Sequence, residues 1–392
     1  MKTRIRSFSS SRRAMLQSMS VAGGSLLLGQ TLTSRIASAQ SQQDPRVARI
    51  VANTISVDMH NHVRYPFSPT PADVKPDPVI DLPGRMKQAG LTAVCYAYCV
   101  DGANQGGVGN EGAVSRPPHP GDYYKYHIQS LDYVDRLLKQ TGMRRAMNLN
   151  DLKAAHRSRQ PIIIQNTEGV QFLEGHPERV EEAYKRGMRH FQLVHQLHDL
   201  VSPIGDIQDN DPTKFGGLTP FGADVIRECN RLGMVVDLAH AHQSTVMGAL
   251  KVARQPLVVS HTGLNSAIGR GTTSDSLSPR LISREYARAV ADAGGVIGVW
   301  HLYKTMNEYV AELKEMVDVI GVDHVGIGTD SPVAPLVTER MSTDTMWPDE
   351  KSGFFHAIAG EMLAQGFHAQ EISKIAGENY CRVFNQVTRN RA

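Results

Sequence analysis

Short apolar runs, most of them rich in β-branched residues, alternate with segments of helical periodicity from residue 50 onward. Eight runs are present: TISVDMH (54–60), LTAVCYAYCV (91–100), PIIIQN (161–166), HFQLVH (190–195), MVVDLAH (234–240), PLVVSH (256–261), GGVIGVW (294–300) and HVGIGTD (324–330). The clearest helical segments between them are 177–187, 220–233, 283–295 and 306–321. Such alternation indicates a parallel sheet with crossover helices. Eight units predict an α/β fold, a single (β/α)8 TIM barrel with insertions.

Two of the predicted connections are long and rich in proline or glycine. One follows the first strand (65–78) and the other follows the second (101–122). Both would leave the carboxyl-terminal face of the barrel, where barrel enzymes carry their sites. Two interpretations stay open for these long loops: a lid over the substrate, or plain surface loops.

The first 39 residues have the pattern of an export signal and not of a folded domain. Arg12 and Arg13 precede a moderately apolar run, and the small residues ASA (37–39) form a cleavage site, which resembles a twin-arginine signal. The apolar run is much shorter than the roughly 20 residues of a membrane-spanning helix. We therefore expect cleavage after residue 39, one barrel domain over residues 40–392, and a periplasmic or secreted product without a membrane span.

The basic charge of the chain belongs to this signal. Its removal takes the formal net charge from +3 to −3, because the segment holds no acidic residue and the basic residues Lys2, Arg4, Arg6, Arg12, Arg13 and Arg35. The remaining chain has no run of lysine or arginine interleaved with aromatic residues. The sequence therefore argues against a nucleic-acid partner.

The four cysteines do not form an evident disulfide framework. Cys95 and Cys99 lie on one predicted strand, where four residues span about 13 Å. A disulfide needs α-carbons within about 7 Å of each other. We interpret all four cysteines, including Cys229 and Cys381, as buried small apolar residues.

Imidazoles and carboxylates occupy the ends of the predicted strands. His60 and His62 are two positions apart and would point to the same side of a strand. The strand-end residues, each at a strand end or within two residues of one, are His60, His62, Glu168, His195, His240, His261 and Asp330. Because the strand ends of a barrel surround one pocket, these side chains are predicted to form one cluster.

Neutral imidazoles and carboxylates are typical ligands of zinc, and they also suit iron, manganese or cobalt. Six ligands are too many for one tetrahedral ion. They suit two ions about 3.5–4 Å apart that share a carboxylate, lower the pKa of a bridging water and polarise a substrate carbonyl. We therefore expect two divalent metal ions, zinc before the others.

Several motifs resemble those of the membrane (renal) dipeptidase family: VDMHNH, NTEG, GLTPFGADVIRECNRLGMVVDLAH, VVSHTG, GGVIGV, GIGTD and GENYCRVF. The likeness covers most of the mature chain and implies a binuclear zinc dipeptidase on an amidohydrolase-type barrel. It implies that His60, His62 and Asp330 bind one ion, that His240 and His261 bind the other, and that Glu168 bridges them. Members of this family are often dimers, so the resemblance also implies a homodimer.

The resemblance also assigns roles toward the substrate. His195 corresponds to the histidine that binds the substrate carbonyl and stabilises the oxyanion. Arg280 fits best as the arginine that binds the free carboxylate of the dipeptide, with Arg270 as the second choice. Asp330 is the proton shuttle between the attacking water and the leaving amine.

Two departures from the family pattern concern the substrate. The family has H-x-D where this chain has His60-x-His62, and D-F-D-G where this chain has DSPV after Thr329. The leading hypothesis is hydrolysis of dipeptides by a metal-bridging hydroxide. The alternatives are a related barrel hydrolase that acts on a lactone or a non-peptide amide, and a metal-dependent binding protein without catalysis.

Overall fold

The computed structural model describes residues 44–62, 81–101, 119–196, 203–208, 214–267, 279–300, 305–333 and 353–389. The predicted signal (1–39), the connection 65–78, most of the connection 101–122 and Arg270 lie outside these ranges. No helix within the described ranges combines the length and hydrophobicity that crossing a bilayer requires.

All eight predicted strands form, and they line up in parallel in a nearly closed barrel. In spatial order they run β3-β2-β1-β8-β7-β6-β5-β4. Between β3 and β4 the ring is completed by loop backbone: the Gln192 N–H donates to the Thr167 carbonyl at 3.2 Å, and the Gly169 N–H donates to the Gln192 carbonyl at 3.1 Å. The strands are β1 (Val57–His62), β2 (Ala93–Ala97), β3 (Ile162–Gln165), β4 (His190–Gln192), β5 (Val235–Asp237), β6 (Val258–Thr262), β7 (Val296–Val299) and β8 (Val325–Ile327). The predicted (β/α)8 fold is confirmed.

The helices lie between and after these strands. They are α1 (Pro45–Asn53), α2 (Leu82–Ala89), α3 (Asp122–Thr141), α4 (Leu149–Ser158), α5 (Arg179–Lys185), α6 (Pro220–Leu232), α7 (Gln243–Val252), α8 (Arg284–Asp292), α9 (Met306–Ile320), α10 (Phe354–Ala364), α11 (Ala369–Ser373) and α12 (Asn379–Arg389). The four helical segments named from the sequence correspond to α5, α6, α8 and α9. Helix α6 illustrates the signals that set these bounds: the Thr219 hydroxyl accepts the Gly222 N–H at its start, and Gly233 ends it in the left-handed region.

Strand β1 differs from the prediction in its position. The predicted strand ends at His60, which would leave His62 after it. The observed strand begins at Val57 and ends at His62, so both histidines lie within it. A short strand β9 (Ser331–Pro332) pairs with its end, opposite Asn61 and His62. This additional pairing extends β1 to the mouth of the barrel.

The two ends of the barrel are filled differently. A buried apolar cluster takes residues from the start of most strands together with Tyr380 and Phe384 of α12, so this helix closes the amino end. A larger apolar cluster lies between the sheet and the outer helices. The buried histidines and carboxylates that follow from the strand pattern therefore lie at the carboxyl end of the barrel.

Candidate metal centre

The predicted cluster exists and is built around Glu168, which follows β3 and is almost completely buried. Its Oε1 lies 3.3 Å from His240 Nε2, 3.4 Å from His195 Nε2, 3.7 Å from His60 Nε2 and 3.8 Å from His261 Nε2. Four imidazoles from β1, β4, β5 and β6 thus point their Nε2 atoms at one carboxylate oxygen.

The other two predicted ligands complete the same cluster. His62 Nε2 lies 2.7 Å from Asp330 Oδ1 and 4.0 Å from Glu168 Oε2. His60 Nε2 is 3.7 Å from the same Asp330 oxygen. The rings of His60 and His62 are 5.1 Å apart, so both enter one pocket, as their spacing on β1 predicts. The structure therefore brings together all six residues that the sequence suggests as metal ligands.

The backbone is strained at two members of the cluster. His240 and Asp330 have φ angles of 66° and 53°, the left-handed region that residues other than glycine rarely adopt. Backbone hydrogen bonds hold both in place: the Asp330 N–H donates to the His60 carbonyl at 3.0 Å, and the Gln208 N–H donates to the His240 carbonyl at 2.7 Å. Such strain persists where the surroundings impose it, and it is common at functional sites.

The donor atoms fit divalent ions. The buried Nε2 of His60 has no hydrogen-bond partner among the described residues, and His240 Nε2 lies 2.8 Å from His261 Nε2. A bound cation would accept the lone pair of His60 Nε2, and it would also separate the two facing nitrogens of His240 and His261. Three sets of ligand atoms within 4.8 Å of one another share Glu168: His60, Glu168, His261 and Asp330; His62, Cys99 and Glu168; and Glu168, His195 and His240.

Burial and charge act in opposite directions on these groups. Burial lowers the pKa of His240 and, more strongly, of His261, which favours the neutral form that binds metals. Burial also lowers the pKa of His60, but the Glu168 and Asp330 carboxylates outweigh it and raise that pKa to about 9. Burial raises the pKa of Glu168, but the charges of His195 and His60 hold it well below its usual range.

His195 is oriented by a carboxylate that the sequence analysis did not identify. Its Nδ1 lies 2.7 Å from Oδ1 of Asp101, a fully buried residue just after β2. Burial lowers the pKa of His195, but Asp101 and Glu168 overcome this effect and raise it to about 9. The two carboxylates therefore favour the charged form of His195, and its Nε2 is directed at Glu168.

Arg280 lies at the edge of the same pocket. Its guanidinium carbon is 6.0 Å from the centre of the Trp300 ring, and that ring meets the His261 ring at 5.5 Å. Its positive charge lowers the pKa of both His195 and His240. Arg280 thus lies near the cluster, its role toward the substrate carboxylate stays a prediction, and Arg270 lies outside the described residues.

Cys99 is a further member of the cluster that the sequence analysis did not identify. All four cysteines are buried and none of them forms a disulfide, as predicted. Cys95, Cys229 and Cys381 belong to the apolar clusters, whereas the Cys99 sulfur lies 2.8 Å from Glu168 Oε2 and 3.9 Å from His62 Nδ1. The interpretation of Cys99 as apolar packing is wrong for this reason. Its position, like that of Asp101, at the end of the second predicted strand is the signal that identifies both.

Comparisons with known proteins point to one family. The model of the membrane dipeptidase family (peptidase family M19) matches residues 45–392. Dipeptidase tcpJ of Claviceps purpurea is 24% identical over 278 residues, which are 66% of this chain and 59% of the relative. Dipeptidase verJ of Clonostachys rogersoniana is 23% identical over 269 residues, 66% of this chain and 64% of the relative. The chain thus spans less than two thirds of the length of these curated relatives.

Solved structures of similar fold include two bacterial proteins. The probable dipeptidase PvdM from Pseudomonas aeruginosa superposes with a TM-score of 0.69 and 15% identity, covering 90% of this chain and 100% of that one. A metallo peptidase from Rhodobacter sphaeroides, liganded with a phosphinate mimic of the dipeptide L-Ala-D-Ala, superposes with a TM-score of 0.60 and 18% identity, covering 86% and 100%. At these identities the likeness concerns the fold.

Proposed function

Since the chain belongs to the membrane dipeptidase family, we propose that it is a metal-dependent dipeptidase whose active site is the cluster around Glu168. The observation that carries the proposal is the convergence of five imidazoles and two carboxylates at the carboxyl end of the barrel. A buried group of this composition is typical of divalent metal hydrolases.

We propose two divalent ions, with zinc as the first choice. His60, His62 and Asp330 would hold one ion, His240 and His261 the other, and Glu168 would lie between them. The Glu168 distances of 3.3–4.0 Å to these imidazoles support a shared carboxylate. When bound, such ions would lower the pKa of a water held at the site and polarise the substrate carbonyl.

The side chains supply the remaining chemistry. His195, charged through Asp101, donates from Nε2 to the oxygen of the attacked carbonyl and stabilises its negative charge. Asp330 accepts a proton from the attacking water and passes it to the leaving amine. Its side chain is 16% exposed, the most open of the described carboxylates in the cluster, which leaves it accessible to a substrate.

Arg280 binds the free carboxylate of the dipeptide in this proposal. A guanidinium offers two parallel N–H donors to a carboxylate, which fixes the substrate in one orientation. Arg280 lies beside Trp300, and its positive charge lowers the pKa of His195 and of His240. This proximity to the cluster supports the role. The substrate would then extend from Arg280 across His195 toward Glu168.

The test is release of free amino acids from a panel of L,L and L,D dipeptides by protein from Gln40 onward, loaded with zinc. The L,D members are included because the Rhodobacter sphaeroides neighbour is liganded with a mimic of L-Ala-D-Ala. We expect turnover of at least one dipeptide, and this turnover should stop when a chelator is added.

Lactones and N-acyl amides belong in the same panel, because His62 stands at the position where the family pattern has aspartate. Turnover of these compounds with all dipeptides inert would reject the dipeptidase proposal in favour of the alternative hydrolase.

Export through the twin-arginine route is a separate proposal, supported by Arg12, Arg13 and the ASA site at 37–39. A double substitution of Arg12 and Arg13 by lysine should keep the full-length protein in the cytoplasm. The control is the unaltered chain in the same strain, which should reach the periplasm. Equal export of both would contradict the proposal.

A further inference from the structure

We propose that Cys99 is a metal ligand, so that one ion of this centre is bound through sulfur together with His62 and Glu168. The inference rests on the proposed metal centre and extends it to a ligand that neither the motifs nor the comparisons assign. The Cys99 sulfur lies 2.8 Å from Glu168 Oε2 and 3.9 Å from His62 Nδ1, and the residue is 5% exposed.

The spacing of the three ligand atoms suits one ion. Two ligands of a tetrahedral ion are about 3.3–3.8 Å apart when the bonds to nitrogen, oxygen and sulfur measure about 2.0–2.3 Å. One ligand atom each of His62, Cys99 and Glu168 lies within 4.8 Å of the other two, and the Cys99 sulfur is 2.8 Å from Glu168 Oε2. Side-chain shifts of up to about 1 Å therefore bring the three groups to the separations that one tetrahedral ion requires.

The neighbouring His60 gives independent support for a cation at this end of the pocket. Its Nε2 is completely buried without a hydrogen-bond partner among the described residues, and it lies 3.7 Å from Glu168 Oε1. The other oxygen of the same carboxylate contacts the Cys99 sulfur. A donor atom without a partner and a thiol thus lie on the two sides of one carboxylate.

The balance of charge favours a thiolate. Two divalent ions bring four positive charges, whereas the described ligand set contains only the carboxylates of Glu168 and Asp330. The Cys99 sulfur forms its bond to the ion as the S–H bond breaks, and the proton is released to solvent. The resulting thiolate adds a third negative charge and makes this position softer, so it should prefer zinc, cobalt or cadmium to magnesium or manganese.

Cobalt is the probe that tests this directly. We would replace the metal of the full mature chain with Co²⁺ and record its absorption spectrum. A cobalt–sulfur bond gives a near-ultraviolet charge-transfer band that nitrogen and oxygen ligands do not give. We expect this band in the unaltered protein and its loss in Cys99→Ser, with the visible bands of imidazole-bound cobalt retained. Cadmium affinity should fall more in Cys99→Ser than manganese affinity does.

The controls separate ligation from folding and from the wider proposal. Cys95→Ser alters a buried cysteine of β2, four residues before Cys99, that belongs to the apolar cluster, and it should keep the band. Cys99→Ala is a second variant without the sulfur, and it should lose the band as Cys99→Ser does. Circular dichroism of each variant shows whether it is folded. Visible cobalt bands without any charge-transfer band in the unaltered protein would overturn the sulfur ligand while leaving the metal centre intact. Failure to bind cobalt at all would overturn both.

Discussion

His195 and Asp101 form a pair in which one residue sets the charge of the other. Asp101 is fully buried and contacts Nδ1 of His195, and it is the main reason that the pKa of His195 rises to about 9 against the effect of burial. Because Asp101 accepts the proton on Nδ1, Nε2 of His195 carries a proton for an oxyanion only when the ring is charged, below its pKa. In the proposed mechanism, the upper pH limit of activity therefore depends on Asp101 as well as on His195.

Asp101→Asn removes the negative charge beside His195 and should lower the pKa of that imidazole. Activity that needs charged His195 is present below its pKa and is lost as the pH rises through it. We therefore expect the alkaline limb of the kcat/KM profile to lie at lower pH in the variant than in the unaltered protein. The control is Asp224→Asn, at a carboxylate that is 64% exposed on α6. An unmoved alkaline limb in Asp101→Asn would contradict the assigned role of His195.

Arg280→Met should weaken binding of substrates that carry a free carboxylate. Loss of charge-assisted hydrogen bonds of about 1.5–3 kcal/mol predicts a rise in KM of about 10–100-fold. The same substitution should change little for a dipeptide amide, which lacks the carboxylate. Arg288→Met, at an exposed position on α8, is the matched control. An equal rise in KM for the dipeptide and for the dipeptide amide would show that Arg280 does not bind the substrate carboxylate.

At the scale of the elements, the ends of β6, β7 and β8 approach so closely that only glycine fits between them. A Cβ at Gly298 or at Gly328 would lie 1.8 Å from the carbonyl oxygen of Ser260. Ser260 precedes His261, and Gly328 lies two residues before Asp330. This close backbone contact therefore fixes two members of the cluster relative to each other.

Gly328→Ala should destabilise the barrel and disturb the site together. Overpacking of this kind costs about 1–3 kcal/mol, and the backbone shift that relieves it displaces Asp330. Urea unfolding and kcat measure the two effects. Gly294→Ala is the contrasting variant: its φ of 81° costs about 1–2 kcal/mol, but its nearest contact is 3.6 Å away and far from the cluster. Full kcat in Gly328→Ala would contradict the positioning role of this contact.

The strands were predictable from sequence because most are short apolar runs rich in β-branched residues and alternate with segments of helical periodicity. The pairing of side chains inside the cluster was not predictable, because it depends on the left-handed backbone at His240 and Asp330 and on the extension of β1 by β9. Cys99 and Asp101 were not predictable as site residues because a cysteine within an apolar run is typical of core packing and an aspartate that begins a long loop is typical of a surface position. Their contacts with Glu168 and His195 exist only in the folded barrel.

At the scale of the whole molecule, the smaller apolar cluster and the polar cluster around Glu168 occupy opposite ends of the barrel. Helix α12 closes the amino end, and the larger core packs the outer helices, so neither depends on the cluster around Glu168. The fold should therefore survive loss of metal even though activity does not. The homodimer and the export route stay predictions at this scale.

Treatment with a chelator should abolish activity while the circular dichroism spectrum remains that of a folded barrel. The Tm should fall, since an ion that binds only the folded state at 100 times its Kd contributes about 2.7 kcal/mol. Added zinc should restore both activity and Tm. Chelator already saturated with zinc is the control and should change neither. Full activity after complete removal of metal, verified by elemental analysis, would contradict the proposed chemistry.

The most direct test of the central claim compares the unaltered protein with Asp330→Asn at equal zinc content, on the dipeptide that it cleaves best. We predict a fall in kcat of about 10²–10⁴-fold in the variant, the usual contribution of a positioned proton-transfer group, with both ions still bound. Amino-acid release at the unaltered rate, with metal content matched, would contradict the account of this cluster as a dipeptide-hydrolysing centre.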